Sequence, residues 1–281
     1  MDWLTSQKLP LGQWMESLVD WLTLNASGLF DAISFSLEWM ITALVTAFQW
    51  FPPAVPMILT AGIAWWLHRS IGLVVFVVAA LLLILNLGYW QEMLETLVLV
   101  ITATLLSVVI GIPIGILAAH KPWVYTALRP VLDLMQTIPT FVYLIPTLVL
   151  FGLGVVPGLI STIIFAIAAP IRLTYLGISK VPHELIEAGQ AFGATPMRLL
   201  FKIELPAAMP SIMAGITQCI MLSLSMVVIA ALVGADGLGK PVIRALNTVN
   251  ISQGFEAGIA IVLVAIILDR LCKAPNSKQE A

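Results

Sequence analysis

The side chains able to do chemistry in this chain of 281 residues are few and dispersed. His68, His120 and His183 are scattered, each near a polar connecting segment, and predict no metal cluster. Cys219 and Cys272 fall in or at the end of apolar blocks with no pairing pattern, and they read as inert buried thiols. Residues 234–241, GADGLGKP, begin like a phosphate-binding loop, but Pro241 stands where a magnesium-binding Ser or Thr is required. That stretch also follows a long apolar block, so a glycine turn is the better reading. Asp133 and Arg172 stand near the ends of apolar blocks and predict an ion pair or a backbone contact in the bundle, with a gating role as the alternative. No nucleophile–base constellation is present, so the chain reads as a non-enzyme. The densest charge cluster is Lys180, Glu184, Glu187, Arg198, Lys202 and Glu204, which must lie in water between two membrane-sized apolar blocks. With no chemistry of its own, the chain is expected to act within a bilayer rather than on a substrate's bonds.

The elements that position these residues follow from composition. The chain is 60% hydrophobic and 10% charged, with mean hydropathy +1.04, against about 25% charged residues in soluble domains. It predicts an all-α integral membrane protein, because lipid cannot satisfy backbone amides and each helix must satisfy its own. The net charge of −2 offers no footprint for nucleic acid. No short apolar segment with a cleavage site follows Lys8, so no removable signal is expected.

Uncharged runs occupy residues 39–67, 70–91, 96–119, 134–171 and 205–235, and a last apolar run covers 252–271. The first is interrupted at Phe51-Pro52-Pro53. The run 134–171 is too long for one crossing of about 20 residues, and 152–158, GLGVVPG, predicts a tight hairpin in its middle. The count is seven spans, or eight if 33–50 crosses as well. Arg69, the group His120, Lys121 and Arg129, the group Lys180, Arg198 and Lys202, and Lys273 with Lys278 then share one side, which is cytoplasmic. Lys240 and Arg244 violate the pattern. Leu11, Trp14, Met15, Leu18, Trp21 and Leu22 share one helical face with Glu16 and Asp20 off it, predicting an interfacial helix over 11–24. Residues 33–50 carry Glu38, whose carboxylate costs about 2.5–3.5 kcal/mol in mid-membrane, so this segment is expected in the interface or packed on the bundle.

Within the polar interlude, Pro182 suits a first helical turn, and Leu185, Ala188, Ala191 and Phe192 recur at helical spacing. Gly193 can take the left-handed conformation that ends such a helix. Thr195 followed by Pro196 signals a second short helix carrying Met197, Leu199, Leu200 and Ile203. The expected product is a helix–turn–helix on the cytoplasmic surface, with an apolar patch that another protein covers.

The run Glu187-Ala188-Gly189, with Ala191 and Gly193 following and Ile203-x-Leu205-Pro206 closing it, resembles the cytoplasmic loop by which permease subunits of ATP-driven importers grip their ATPase. Gly189 replaces the usual third small residue, alanine. Residues 132–147 (LDLMQTIPTFVYLIPT), 170–178 (PIRLTYLGI), 221–239 (MLSLSMVVIAALVGADGLG), 21–35 and 87–90 are similar to permeases for quaternary-amine uptake, of glycine betaine, proline betaine or choline. The resemblance implies the transmembrane-domain fold of a type I ABC importer in a bacterial cytoplasmic (inner) membrane. It implies an N-terminal region 1–50, peripheral helices 51–91, a permease core 92–272 with its coupling loop at 183–206, and a cytoplasmic tail 273–281. It also implies an ABC ATPase carrying ATP and magnesium, a separate extracytoplasmic binding protein, a second permease copy and surrounding lipid, with no cofactor on this chain. Gln136, Thr137, Pro139, Phe141 and Tyr143 are expected to face Gln218, Ser223 and Ser225 along the path, where aromatic faces attract a quaternary ammonium.

A second class remains at this point, a secondary transporter or channel driven by an ion gradient. Such proteins build their sites from broken helices and paired intramembrane charges in repeats, and neither a repeat nor many central charges are seen here. A membrane scaffold or membrane-embedded enzyme would need a functional cluster that the sequence does not carry.

Overall fold

A computed structural model describes residues 10–273, the side chain of Leu11 excepted; the N-terminal residues 1–9 and most of the predicted tail 273–281 lie outside the described residues. Every regular element among the described residues is helical. In chain order these are α1 (Leu11–Gln49), α2 (Ala54–His68), α3 (Ile71–Asn86), α4 (Trp90–His120), α5 (Pro122–Thr137), a 3₁₀ turn (Thr140–Tyr143), α6 (Leu144–Phe151), α7 (Val155–Ala166) and α8 (Ala168–Ser179). There follow α9 (His183–Ala191), α10 (Pro196–Leu199), a π segment (Leu200–Glu204), α11 (Leu205–Ala230), a second 3₁₀ turn (Ala231–Val233), α12 (Gly239–Thr248) and α13 (Ile251–Cys272).

Among the described residues, five helical stretches are long and apolar enough to cross a membrane: Gly12–Gln49, Trp90–His120, Val155–Ser179, Pro196–Val233 and Ile251–Cys272. The bent pair α5 and α6, which turns through 108°, is long and apolar enough only when its two halves are taken together, as a broken span or a re-entrant loop. The shorter apolar helices α2 and α3 are 15 and 16 residues long and pack together as a hairpin against α13. At about 1.5 Å per residue each of the two is shorter than a bilayer's hydrocarbon core of about 30 Å.

Helix α11 is the central post, packed along α8, α7 and α4. Close approach is made by small residues, as expected where lipid supplies no hydrophobic drive between helices. A Cβ at Gly115 of α4 would stand 2.8 Å from the Ile171 carbonyl of α8, and one at Gly177 would stand 2.8 Å from Ser211 Cβ of α11. The largest buried cluster joins Met93, Leu99, Leu159, Leu224, Val227 and Val264, side chains from four of the long stretches.

Three expectations change. The interfacial helix 11–24 and the segment 33–50 are parts of one helix of 39 residues, interrupted only at Ala26 (φ −126°, ψ 16°). The portion after Ala26 is about 34 Å long, enough to cross, and it packs on α4 and α6. Ile41 is buried there and Phe30 meets Phe151 edge-on at 5.2 Å. Charge counting missed this because Glu38 sits on the exposed face of the helix while Leu37 and Val45 face the bundle. Next, the run 70–91 is not a single helix: α3 ends at Asn86, Gly88 takes φ +80°, and Gln91 belongs to α4. Finally, the hairpin falls at Gly152 and Gly154, where φ is +77° and +135°, but the helix before it is not straight. Ile138 and Pro139 break it.

The glycine turn at 234–239 is a packing turn. Leu238 N–H donates to Thr96 Oγ1 at 2.8 Å, and Gly154 N–H donates to the Val233 carbonyl at 2.9 Å. A Cβ at Gly237 (φ +118°) would collide with Thr96 Oγ1 at 2.6 Å.

Candidate functional site

The polar interlude folds as a short hairpin of helices. Pro182 (φ −55°, ψ 132°) precedes α9 rather than opening it. At the other end Phe192 N–H, Gly193 N–H and Ala194 N–H donate to the carbonyls of Ala188, Gln190 and Gly189, at 3.1, 2.9 and 3.0 Å. The last two bonds form a Schellman motif, which requires a left-handed residue at its centre. Gly193 supplies it with φ +75°. A Cβ there meets nothing within 4 Å, so glycine is required by backbone conformation and not by crowding.

The chain then reverses onto itself. Gly189 is buried, and a Cβ on it would stand 2.6 Å from Leu199 Cδ2 and 2.5 Å from Ile203 Cδ1. The two halves of the sequence pattern, 187–189 and 203–206, thus meet at Gly189 and Ile203. Gly189 does more than keep a surface small: its missing side chain is the seat of α10 and the π segment.

The second half of the loop differs from expectation. Thr195 precedes Pro196 as predicted, but its side chain makes no capping bond, and α10 does not end as a separate surface helix. It runs through the π segment into α11, so that Pro196–Val233 reads as one stretch of 38 residues. The wider π turn closes with Leu205 N–H on the Leu200 carbonyl, one residue before Pro206, whose ring has no N–H to give.

Glu204, expected in water with the other charges, is 7% exposed. Its Oε2 lies 2.9 Å from His120 Nε2, while the other imidazole nitrogen, Nδ1, lies 2.9 Å from the Ile116 carbonyl. The contact is a close approach rather than a directed hydrogen bond, since Glu204 Oε2 has no aligned donor. His120 therefore ties the end of α4 to the loop's junction with α11. Sequence reading passed over this pair because the partners are 84 positions apart. The only local signal was a carboxylate placed one residue before an apolar span.

Outward from this frame the loop presents Phe192 at 92% exposure, with Leu185, Met197 and Phe201 also exposed. Glu187 and His183 approach each other at 3.4 Å on the exposed face of α9. Ala188 and Ala191 are exposed beside them, Leu205 is half-buried, and Pro206 is exposed.

The expected path residues divide. Gln136, Thr137, Pro139 and Phe141 are exposed at the α5 corner, as are Gln218 and Ser225 on α11. Thr137 Oγ1 is turned back onto the Asp133 carbonyl at 2.9 Å. Ser223 does not share their face. It is fully buried, because seven residues separate Gln218 from Ser225 and return to one helical face, whereas Ser223 lies off it. Tyr143 is held inward, its ring tilted against Phe165 with centroids 6.4 Å apart. Helices α5 and α8 are clasped by the Asp133–Arg172 ion pair at 2.5 Å and by the stacked rings of Tyr125 and Tyr175, 3.5 Å apart.

The family described as "Binding-protein-dependent transport system inner membrane component" matches residues 111–274. The glycine betaine transport system permease protein OpuAB of Bacillus subtilis (strain 168) is 47% identical over 98% of this chain and 97% of its own. The glycine betaine/carnitine transport permease protein GbuB of Listeria monocytogenes serotype 1/2a (strain 10403S) is 47% identical over 97% of this chain and 98% of its own. Among solved structures, inward-facing conformations of the MetNI methionine ABC transporter superpose with a TM-score of 0.56 at 25% identity, covering 62% of this chain and 88% of that one.

Proposed function

The chain belongs to the family of binding-protein-dependent transport system inner membrane components, and from that premise we propose that it couples a partner's ATP hydrolysis to uptake of quaternary ammonium compounds. It is an ABC importer permease of the bacterial inner membrane with a type I importer fold, and this membership removes the ion-gradient-driven reading. Glycine betaine heads the proposed substrates, as the compound named for both relatives, with proline betaine and choline in the same chemical class. The proposed assembly pairs two copies of this permease in lipid with two ABC ATPase subunits, which hold the ATP and magnesium, and with an extracytoplasmic binding protein that delivers the ligand. Residues 92–272 are its core, 51–91 its peripheral helices, 1–50 its N-terminal region and 273–281 its tail.

The observation that carries this reading is the continuity of Pro196–Val233 behind a hairpin whose exposed apolar tip is Phe192. An apolar patch of this kind outside the lipid calls for a protein cover. In the proposed cycle the ATPases close on ATP and draw the 183–206 loop with them. Since α10 has no hinge before α11, the pull tilts α11, and the His120–Glu204 contact carries α4 along. The pathway, bordered by Gln136, Thr137, Pro139, Phe141, Gln218 and Ser225, opens outward and is reset by hydrolysis. The test is uptake of radiolabelled glycine betaine and choline in a deletion strain, with and without ATP depletion. Accumulation that survives ATP depletion overturns the reading.

A further inference from the structure

We infer that the Tyr143 hydroxyl stands in for the backbone N–H that Pro139 lacks, making Tyr143 the positioning residue of the α5–α6 corner. In an unbroken helix the residue at 139 would donate its N–H to the carbonyl four positions back, that of Met135. Proline has none to donate, and it also pushes Ile138 out of the helical region: Ile138 sits at φ −65°, ψ 132° and Pro139 at φ −54°, ψ 133°. Ile138 N–H still reaches the Leu134 carbonyl at 3.0 Å. The next carbonyl, that of Met135, accepts instead from Tyr143 Oη at 2.7 Å.

The hydroxyl can reach back because the corner turns through 108°, bringing residue 143 beside the helix end it left. The other end of the same residue is braced too. Thr147 Oγ1 lies 3.0 Å and Ser161 Oγ 3.3 Å from the Tyr143 carbonyl, and the two hydroxyls lie 2.7 Å apart. Thr147 and Ser161 are buried. The ring itself packs with Leu144, Phe165, Met226 and Val233. Through these polar bonds and ring contacts Tyr143 joins α5, the 3₁₀ turn, α6, α7 and α11. Its hydroxyl, carbonyl and ring are all in use, so it holds the proposed path in shape and does not line it.

The corner's geometry is independent of the transport reading; its effect on uptake rests on that reading. The test uses the permease assembled with its ATPase in lipid nanodiscs and compares wild type, Tyr143→Phe, Ser161→Ala and the double variant Tyr143→Phe/Pro139→Ala. Amide exchange over residues 140–147 is expected to quicken about tenfold in Tyr143→Phe, the loss of one part-buried hydrogen bond, while exchange over 155–166 stays unchanged. The maximal uptake rate falls with it and the half-saturating ligand concentration does not move. Ser161→Ala, which leaves the tyrosine hydroxyl intact, shifts exchange in the same direction by less. In the double variant the Pro139→Ala change restores the missing N–H, so exchange slows again as the helix straightens, but uptake does not recover because the corner is gone. Wild-type exchange in Tyr143→Phe, or fast exchange persisting in the double variant, overturns the inference. Absence of uptake by the wild-type complex would sink the transport reading and leave the exchange result standing.

Discussion

The 183–206 loop and the α5–α6 corner each carry a helix irregularity beside a proline, and they are built in opposite ways. In the loop, the reversal at Gly193 is rigid by backbone geometry, and the proline that follows the π segment, Pro206, does not stop the helix: Pro196–Val233 stays continuous. At the corner, Pro139 stops the helix, and a side chain from beyond the break, that of Tyr143, supplies the bond that closes the gap. One irregularity is stiffened by main chain and the other by a single phenol. A lever needs the first kind, since force must pass through it without bending. A segment that changes shape within a cycle suits the second, since one hydrogen bond, worth about 1 kcal/mol net, can be made and broken.

Substitutions that exchange these properties test the contrast. The largest effect is expected from Gly193→Val, because a β-branched residue at φ +75° costs about 2 kcal/mol or more. Membrane insertion and yield should match wild type while ligand-stimulated ATPase activity drops by about thirtyfold; normal uptake by this variant would remove the rigid turn from the mechanism. Tyr143→Phe comes next, at about tenfold in corner exchange and uptake rate.

His120→Ala is expected to be milder. It leaves Glu204 buried without its imidazole neighbour, but His120 itself is 45% exposed, and solvent screens part of the contact. A roughly fivefold fall in coupling, read as uptake per ATP hydrolysed, is expected, with Glu204→Gln in the same background restoring part of it. A double variant as uncoupled as His120→Ala alone argues against the pair. The smallest effect belongs to Asp133→Asn. Its ion pair with Arg172 is half-exposed on both partners, and such pairs contribute about 0–1 kcal/mol, so uptake should change by less than about fivefold. A larger loss would move the clasp between α5 and α8 into the coupling machinery.

Legibility differed between the two regions for physical reasons. The loop could be read locally: Gly193 and the apolar spacing of Leu185, Ala188 and Phe192 are short-range signals, and each governs backbone within a few residues of itself. Even there the reading stopped at Thr195, where N-cap chemistry suggested a new helix. Whether that helix ends depends on whether packing carries it into α11, as Leu199 and Ile203 do by seating on Gly189. At the corner, Pro139 announced a break but not its angle. Tyr143 was read as an aromatic face for a cation because a ring's partners are not visible in one dimension. Ser223 was misplaced for a related reason, since the burial of a helical position depends on which neighbours surround it.

Composition and the lengths of the uncharged runs were sufficient to establish an all-helical membrane chain with a charged loop before its penultimate long crossing, and Arg69, Lys121, Lys180 and Lys273 gave the expectation that this loop faces the cytoplasm. These are properties of partition between water and lipid, which each segment settles largely for itself. Tertiary structure alone decided that α1 packs as a span-length helix, that His120 meets Glu204, and that a tyrosine hydroxyl completes the helix end broken by Pro139. Those outcomes depend on groups from distant segments satisfying one another's charges and carbonyls where water cannot, and no single segment carries that information.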